Sequence, residues 1–105
     1  MDALQVVAEP RRRAILRLVW DAELPAGAIA EHFDVTGPAV SQHLAVLREW
    51  GFVSMRREGR QWLYRADPEA LGELRPVLES MWAGKLDHLA RLAEDAHRRA
   101  RRQTS

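Results

Sequence analysis

Cysteine is absent from this chain of 105 residues, which excludes disulfides, thiolate metal sites and thiol-based redox switches. No apolar run approaches the ~20 residues that a membrane-spanning helix needs. The N-terminus also lacks the pattern of a signal peptide. We therefore expect a soluble, cytoplasmic protein without a membrane partner, and the length predicts one domain.

Catalytic motifs are missing as well. The chain shows no Gly-rich phosphate loop, no nucleophile elbow and no paired-carboxylate cluster. Its four histidines are scattered. The sequence therefore predicts no enzyme and no cofactor.

Lysine is nearly absent too, since fifteen of the sixteen basic residues are arginine. Although the net charge is only +1, the charges are segregated. Residues 9–17 and 36–65 are rich in arginine, whereas residues 67–95 carry an excess of acids. Arginine suits contacts with phosphates and base edges, so the first two segments are the candidates for binding a polyanion.

A helix over residues 36–50 is the most informative stretch. Thr36 is a good N-cap, and Pro38 falls in the first turn, where a missing N–H costs nothing. Three apolar residues recur at spacing i, i+4 and i+7, namely Val40, Leu44 and Leu47. This pattern predicts one buried face, and the opposite face presents short polar side chains that do not obstruct approach to a base edge.

A second short helix is predicted directly upstream, over residues 28–33. Ile29 and Phe33 lie on one side of it, and Asp34 and Val35 form a tight turn into the next helix. Two short helices joined in this way are the helix-turn-helix signature, whose second helix enters the major groove of DNA. The alternative is a pair of amphipathic helices packed in a bundle.

A β-hairpin is predicted after these two helices. Gly51 ends the second helix, because glycine accepts the left-handed conformation needed there. Residues 52–57 and 61–65 alternate with period two, and residues 58–60 form the turn between them. Because arginines at the tip and flanks are not core residues, the hairpin is predicted to be an exposed wing.

Further helices are predicted at both ends of the chain. Residues 2–8 form a short leading helix, Pro10 opens a second one, and residues 21–25 are predicted to be a loop. Asp67 caps a short helix that begins with Pro68. A long terminal helix is expected from Pro76 to about residue 100.

The terminal helix carries an apolar stripe over about five turns, too long for so small a domain to cover alone. A homodimer through the terminal helices is therefore expected. The residues predicted at this interface are Leu4, Leu78, Trp82, Leu86 and Leu89. The predicted fold is mainly α with a small β-hairpin: a winged helix-turn-helix domain over residues 1–97, followed by a basic, frayed tail at residues 98–105.

The chain resembles the ArsR-type (ArsR/SmtB-like) winged helix-turn-helix transcriptional regulators. The likeness covers residues 1–97 and is carried by three segments. These are the proline–arginine start of a helix at residues 9–16, the pattern V-S-x-H-L-x-x-L at residues 40–47, and the E-G-R hairpin within residues 58–64. The resemblance implies a homodimeric repressor that binds a palindromic operator in double-stranded DNA and releases it on a signal that the sequence does not identify.

The resemblance also assigns DNA contacts. Those expected in the major groove are Thr36, Gly37, Ser41, Gln42 and His43. Gln42 can pair with N6 and N7 of adenine, and Ser41 can serve a base or a phosphate. The wing residues expected at the backbone or minor groove are Arg57, Arg60 and Gln61. For His43 a second interpretation stays open, because beside Val40 and Leu44 it could instead close the edge of the core.

Two alternatives remain. Some members of this group sense metals through cysteine pairs, which are missing here, and others through acidic and histidine ligands between terminal helices. The candidate ligands on the last helix are His88, Glu94, Asp95 and His97. Because Asp87 directly adjoins His88 and the paired spacing is incomplete, we expect no metal site.

The other alternative is a winged-helix module that binds protein, whose wing would expose apolar side chains. The basic hairpin favours DNA.

Overall fold

The computed structural model describes residues 1–84. Its elements follow in the order α1 (Ala3–Ala8), α2 (Pro10–Leu18), β1 (Leu24–Pro25), α3 (Ala26–Ala30), α4 (Gly37–Glu49), β2 (Val53–Glu58), β3 (Gln61–Ala66) and a 3-10 helix (Pro68–Leu71). A further helix, α5, covers the described residues 74–84. Residues 1–72 form one compact unit, and a second unit begins at Glu73. The predicted fold class, helical with a small antiparallel sheet, is confirmed.

Acidic side chains cap both N-terminal helices. The Asp2 carboxylate accepts from the backbone N–H of Gln5, and the Gln5 side chain accepts from the Asp2 N–H, each at 2.8 Å, which is a capping box. The Glu9 carboxylate accepts from the N–H of Arg12 at 2.9 Å and so caps α2. Pro10 occupies the first turn of α2, as the sequence predicts.

The predicted ends of α4 are confirmed. The Thr36 hydroxyl accepts from the N–H of Ala39 at 3.3 Å, and Pro38 lies in the first turn. Gly51 has a φ of 75° just past the helix, where a side chain would be strained.

The first helix of the helix-turn-helix differs from the prediction. The sequence predicts residues 28–33, but α3 spans Ala26–Ala30. The last residues of the predicted helix form a tighter turn instead. In it, the N–H of His32 donates to the carbonyl of Ile29 and the N–H of Phe33 donates to the carbonyl of Ala30. A turn with bonds between residues three apart and an α-helix with bonds between residues four apart place nearly the same side chains on one side. The spacing of apolar residues therefore could not distinguish a turn from a continued helix.

The sheet has three antiparallel strands in the order β1-β3-β2. The prediction of a loop at residues 21–25 is therefore wrong for Leu24 and Pro25, which pair with Tyr64 and Leu63. Two residues are too few to show a period-two pattern, and their partner strand lies far along the chain. The prediction missed β1 for that reason.

The hairpin lies where the sequence predicts it, but its turn is one residue shorter than the predicted turn at residues 58–60, because Glu58 pairs with Gln61. Cross-strand pairs run from Val53 opposite Ala66 to Glu58 opposite Gln61, so both strands end one residue later than predicted. Two residues form the turn, and Gly59 takes a φ of 62° at its first position, which suits a type II′ turn.

The core of residues 1–72 is aliphatic except for Phe52. Its buried side chains include Val6, Val7, Ile15, Leu16, Val19, Ile29, Val40, Leu44, Leu47, Phe52, Val53 and Leu71. Among the described residues no polar or charged side chain is buried. Backbone bonds also join distant segments, from the Ala66 N–H to the Val19 carbonyl at 2.9 Å and from the Asp67 N–H to the Phe52 carbonyl at 2.8 Å. This packing holds the inner face of α4 and leaves its other face in solvent.

Helix α5 begins two residues before Pro76, the predicted first residue. Pro76 is accommodated because it lies in the first turn, where no intrahelical bond needs its N–H. Asp67 has the predicted N-cap position of the 3-10 helix, but its side chain makes no capping hydrogen bond. The predictions for Leu86, Leu89 and residues 98–105 lie outside the described residues. No described helix has the length and apolar character needed to cross a membrane.

Candidate DNA-binding surface

The exposed face of α4 is polar and unobstructed. Ser41, Gln42 and Ala45 are exposed there, opposite the buried aliphatic stripe. The Ser41 and Gln42 side chains make no hydrogen bond with any described residue, so their donors and acceptors are available to a ligand. Gln42 presents both an amide N–H₂ and a carbonyl oxygen, the pair that an adenine edge requires.

The beginning of α4 is open as well. Thr36 and Gly37 are both exposed. The Thr36 oxygen accepts from the Ala39 N–H, which leaves its hydroxyl proton free to donate. A Cβ built on Gly37 would meet no atom within 4 Å, so the fold itself does not require glycine here.

The structure places His43 against α2 rather than on this open face. Its side chain is 19% exposed, and Nδ1 lies 3.8 Å from Oε2 of Glu9. The same nitrogen is 3.5 Å from Nη1 of Arg12. Of the residues predicted in the major groove, His43 is the one that already has side-chain partners on another helix.

The wing carries Arg57 and Trp62 on one face, as a cross-strand pair. This face is the one that Val53 and Ala66 bury at the base of the hairpin, because alternate residues share a side of a strand. The Arg57 Nε donates to the Gly59 carbonyl at 3.1 Å, and its guanidinium carbon lies 5.8 Å from the centre of the Trp62 ring. Cation–π contact and hydrogen bond together hold the guanidinium at the wing tip.

The opposite face of the wing is largely neutralised. The Arg56 guanidinium binds Glu23 through a two-pronged hydrogen bond and also donates to Glu58 at 3.3 Å. The bond from Arg56 holds the pKa of Glu23 below its ordinary value, and the same bond raises the pKa of Arg56. The Arg56 guanidinium is therefore occupied by bonds within the domain. The positive charges near the tip are those of Arg57 and Arg60.

Arg60 lies in the turn and Gln61 begins β3, and both are exposed. Neither side chain makes a hydrogen bond or an ion pair with the described part of the chain. The Arg57 guanidinium is held by Gly59 and Trp62 through its Nε and its face, while its two Nη groups make no hydrogen bond with the described residues and can still bind a ligand. The wing also exposes an apolar ring, because Trp62 is 47% exposed, so this surface is less purely basic than the sequence suggests.

The predicted interface residues differ in accessibility. Leu4 is 62% exposed on α1, whereas Leu78 is only 2% exposed within a single chain. Trp82 is half-buried, and Val77 and Met81, one helical turn apart on α5, are exposed. Leu4 is therefore available to a partner, and Leu78 has little surface left to contribute.

Three features escaped the sequence-based reasoning: the Arg12 contact with α4, the Glu23–Arg56 bond and the Arg57–Trp62 pair. Each joins residues whose spacing in the sequence has no meaning until the fold is known. The Arg57–Trp62 pair in particular depends on the register of the hairpin: the predicted turn at residues 58–60 would place Arg57 opposite Gln61, whereas the observed two-residue turn places it opposite Trp62. Within residues 1–84 no group of histidine and acidic side chains could hold a metal ion, and the predicted metal candidates lie beyond that range.

A helix-turn-helix with a free polar face, beside an arginine-bearing hairpin, defines a winged helix-turn-helix DNA-binding protein. The sequence profile described as "Bacterial regulatory protein, arsR family" matches residues 9–55. The HTH-type transcriptional regulator Rv2034 of Mycobacterium tuberculosis is 37% identical over 92 residues, which are 88% of this chain and 86% of that protein. This chain belongs to the ArsR family and is a DNA-binding transcriptional regulator, so the predicted resemblance is confirmed.

Two further similarities agree. The transcriptional repressor SdpR of Bacillus subtilis is 36% identical over 63 residues, or 60% of this chain and 69% of that protein. The solution structure of a homodimeric winged helix-turn-helix DNA-binding domain from Mycobacterium bovis superposes with a TM-score of 0.65 and 29% identity, covering 82% of this chain and 80% of that one. The family consists of regulators rather than enzymes.

Proposed function

We propose that this regulator acts in the cytoplasm as a homodimer that represses transcription by occupying a palindromic operator, and that it catalyses no reaction. The observation that carries the proposal is the exposed polar face at the start of α4, where the Ser41 and Gln42 side chains make no hydrogen bond with residues 1–84. The similar protein from Bacillus subtilis is named a repressor, which supports repression rather than activation.

Sequence discrimination is assigned to the exposed face of α4. Gln42 reads adenine through its amide, and Ser41 bonds a base edge or a phosphate. Thr36 and Gly37 lie where the positive end of the helix dipole favours a phosphate. Gly37 allows the DNA backbone to approach the helix start closely.

Affinity is assigned mainly to the wing. Arg57, Arg60 and Gln61 contact the backbone or the minor groove, and such contacts are sequence-independent and sensitive to salt. A wing arginine that contacts phosphate releases counterions and changes the salt slope by about one.

Dimerisation sets the distance between the two recognition helices. One recognition helix covers only a few base pairs, whereas two helices about 34 Å apart read two half-sites one helical turn apart. The apolar stripe of the terminal helices, with help from Leu4, is the proposed interface, and the homodimeric relative supports it. A dimer bound over a promoter blocks transcription by exclusion. Because the chain has no cysteine, release does not depend on a thiolate metal site.

Selection from a library of random duplexes tests the proposal. The purified protein should enrich an inverted repeat with half-sites about one helical turn apart, and footprinting should show protection on one face of the duplex. DNA flanking its own coding region should be compared with the selected repeat, since a match at a promoter would identify a target. Enrichment of a single half-site, or of no sequence, would contradict the homodimer on a palindrome.

A further inference from the structure

Arg12 lies where three helices meet. Its Nε donates to the carbonyl of Val6 at 2.7 Å, and its Nη2 donates to the carbonyl of Gln5 at 3.2 Å. Both carbonyls belong to the last turn of α1, where no intrahelical partner is available. The remaining nitrogen, Nη1, is 3.5 Å from Nδ1 of His43 on α4. One side chain of α2 thus holds the end of α1 and reaches the recognition helix.

The His43 ring has two charged neighbours at the start of α2. The Arg12 guanidinium can only donate, so it bonds Nδ1 of His43 when that nitrogen carries no proton. Glu9, the N-cap of α2, places Oε2 3.8 Å from the same nitrogen, and its carboxylate accepts from Nδ1 when the proton is there. Among the described residues, Arg12 and Glu9 are the charged side chains that the structure places against the His43 ring, and both hold it against α2.

We infer that Arg12 and His43 are positioning residues for DNA recognition, which rests on the base-reading role proposed for α4. The buried side chains of α4 are Val40, Leu44 and Leu47, and aliphatic packing has no preferred direction. A hydrogen bond does have one. His43 adjoins Gln42, and successive residues project about 100° apart around a helix. Fixing His43 against α2 therefore sets the rotation of α4 and the angle at which Gln42 leaves it.

A double-mutant cycle tests this inference. Arg12→Met keeps most of the side-chain stem and removes the guanidinium, and His43→Leu removes the acceptor. Each variant, and the pair together, is titrated with the duplex selected by the wild type and with a random duplex. Residues that act through one contact are non-additive in such a cycle, and we expect each single variant to lose about tenfold in preference for the selected duplex. The double variant should lose no more than either single one.

Rescue and salt dependence separate positioning from other roles. His43→Asn places an acceptor near the position of Nδ1 and should restore most of the preference. Arg12→Met should leave the salt slope unchanged, whereas a phosphate contact would lower it by about one. Arg11→Met is the matched control, because Arg11 is an exposed neighbour whose side chain makes no hydrogen bond or ion pair with the described residues, and it should leave the preference ratio unchanged.

Stability is followed by thermal melting, so that loss of fold is not mistaken for loss of recognition. Arg12→Lys provides a milder variant: it keeps the charge but cannot span three acceptors, and it should stay folded and lose the preference. Additive losses in the cycle, a failure of His43→Asn to rescue, or a lowered salt slope would each overturn the inference. If the wild type itself selects no duplex, the proposed function fails and this inference with it. If the wild type and all variants discriminate equally, only this inference fails.

Discussion

Glu23 and Arg56 are joined by two hydrogen bonds, from Nε to Oε2 at 2.5 Å and from Nη2 to Oε1 at 3.1 Å. Glu23 directly precedes β1, and Arg56 is in the middle of β2, so the bonds connect the two edge strands of the sheet across β3. A two-pronged arginine–carboxylate contact fixes orientation as well as distance. The wing is thereby held at a defined angle to the segment that enters α3.

This pair predicts a pH dependence of stability. Arg56 holds the pKa of Glu23 below its ordinary value of 4.5. The carboxylate therefore stabilises the fold at pH values above its unfolded pKa, and the contribution is lost as the pH falls through the lowered value. We expect Glu23→Gln to melt at a lower temperature than the wild type at pH 7, and this difference to shrink below pH 4.5. Calorimetry across pH 3–7 measures it, with Glu69→Gln, an exposed carboxylate without an ion pair among the described residues, as the control.

Base reading and backbone binding should respond differently to mutation. Gln42→Ala should cost roughly 1–3 kcal/mol on the selected duplex and far less on random DNA. Arg60→Ala should weaken binding to both and lower the salt slope by about one. Titrations of both duplexes at several salt concentrations distinguish the two. Equal losses for Gln42→Ala on both duplexes would remove it from the base-reading role.

Gly37→Ala tests the close approach of DNA. A methyl group there meets no atom within 4 Å in the free protein, and alanine is favoured over glycine in helices by up to about 1 kcal/mol. The variant should melt at the same or a higher temperature. It should nevertheless bind the selected duplex about tenfold more weakly, which corresponds to about 1.4 kcal/mol. Unchanged binding would show that the DNA stays away from this backbone.

Charge placed in the proposed interface should produce a folded monomer. Leu86→Glu lies in the apolar stripe of the sequence, and Leu4→Glu uses a residue that is 62% exposed in one chain. Either variant should dissociate at micromolar concentration and lose specific affinity by orders of magnitude, because specific binding uses both recognition helices. Sedimentation velocity measures the association state. A monomeric wild type, or a dimeric and fully active Leu86→Glu, would refute the interface.

Divalent metals should not release the protein from DNA. The chain has no cysteine, and the spacing around His88 is incomplete for a site on the last helix. Titrating zinc, nickel or cobalt into the complex should change affinity by no more than a few-fold. Stoichiometric release that His88→Ala or His97→Ala abolishes would show that a metal site exists.

Local signals made much of the fold predictable. Thr36, Pro38 and Gly51 mark the ends of α4 through backbone chemistry that acts within a few residues, and the structure places those ends as expected. The hairpin was predictable because two alternating segments flank a short turn that contains Gly59, although the turn itself has two residues and not the predicted three. The strand β1 carries no such signal, since two residues gain strand structure only from their pairing with β3.

The candidate surface was predictable in part. The sequence indicates which side of α4 faces solvent, because the apolar stripe determines the opposite side. It could not show that the His43 ring meets Glu9 and Arg12, because that contact depends on how α2 crosses α4. For the same reason the sequence could not show that Arg56 bonds Glu23 whereas its neighbour Arg57 is held at the wing tip by Gly59 and Trp62.

The junction between β1 and α3 limits where this chain can accept insertions. Pro25 ends the strand and Ala26 begins the helix, so no loop separates the sheet from the helix-turn-helix. Residues added there would have to displace either a paired strand or a helix. The tip at Gly59 and Arg60 is different, because both residues are exposed and extra residues would extend into solvent. The wing can therefore vary in length while the recognition helix stays unchanged. By contrast, no residue can be inserted between β1 and α3 without disrupting one of them.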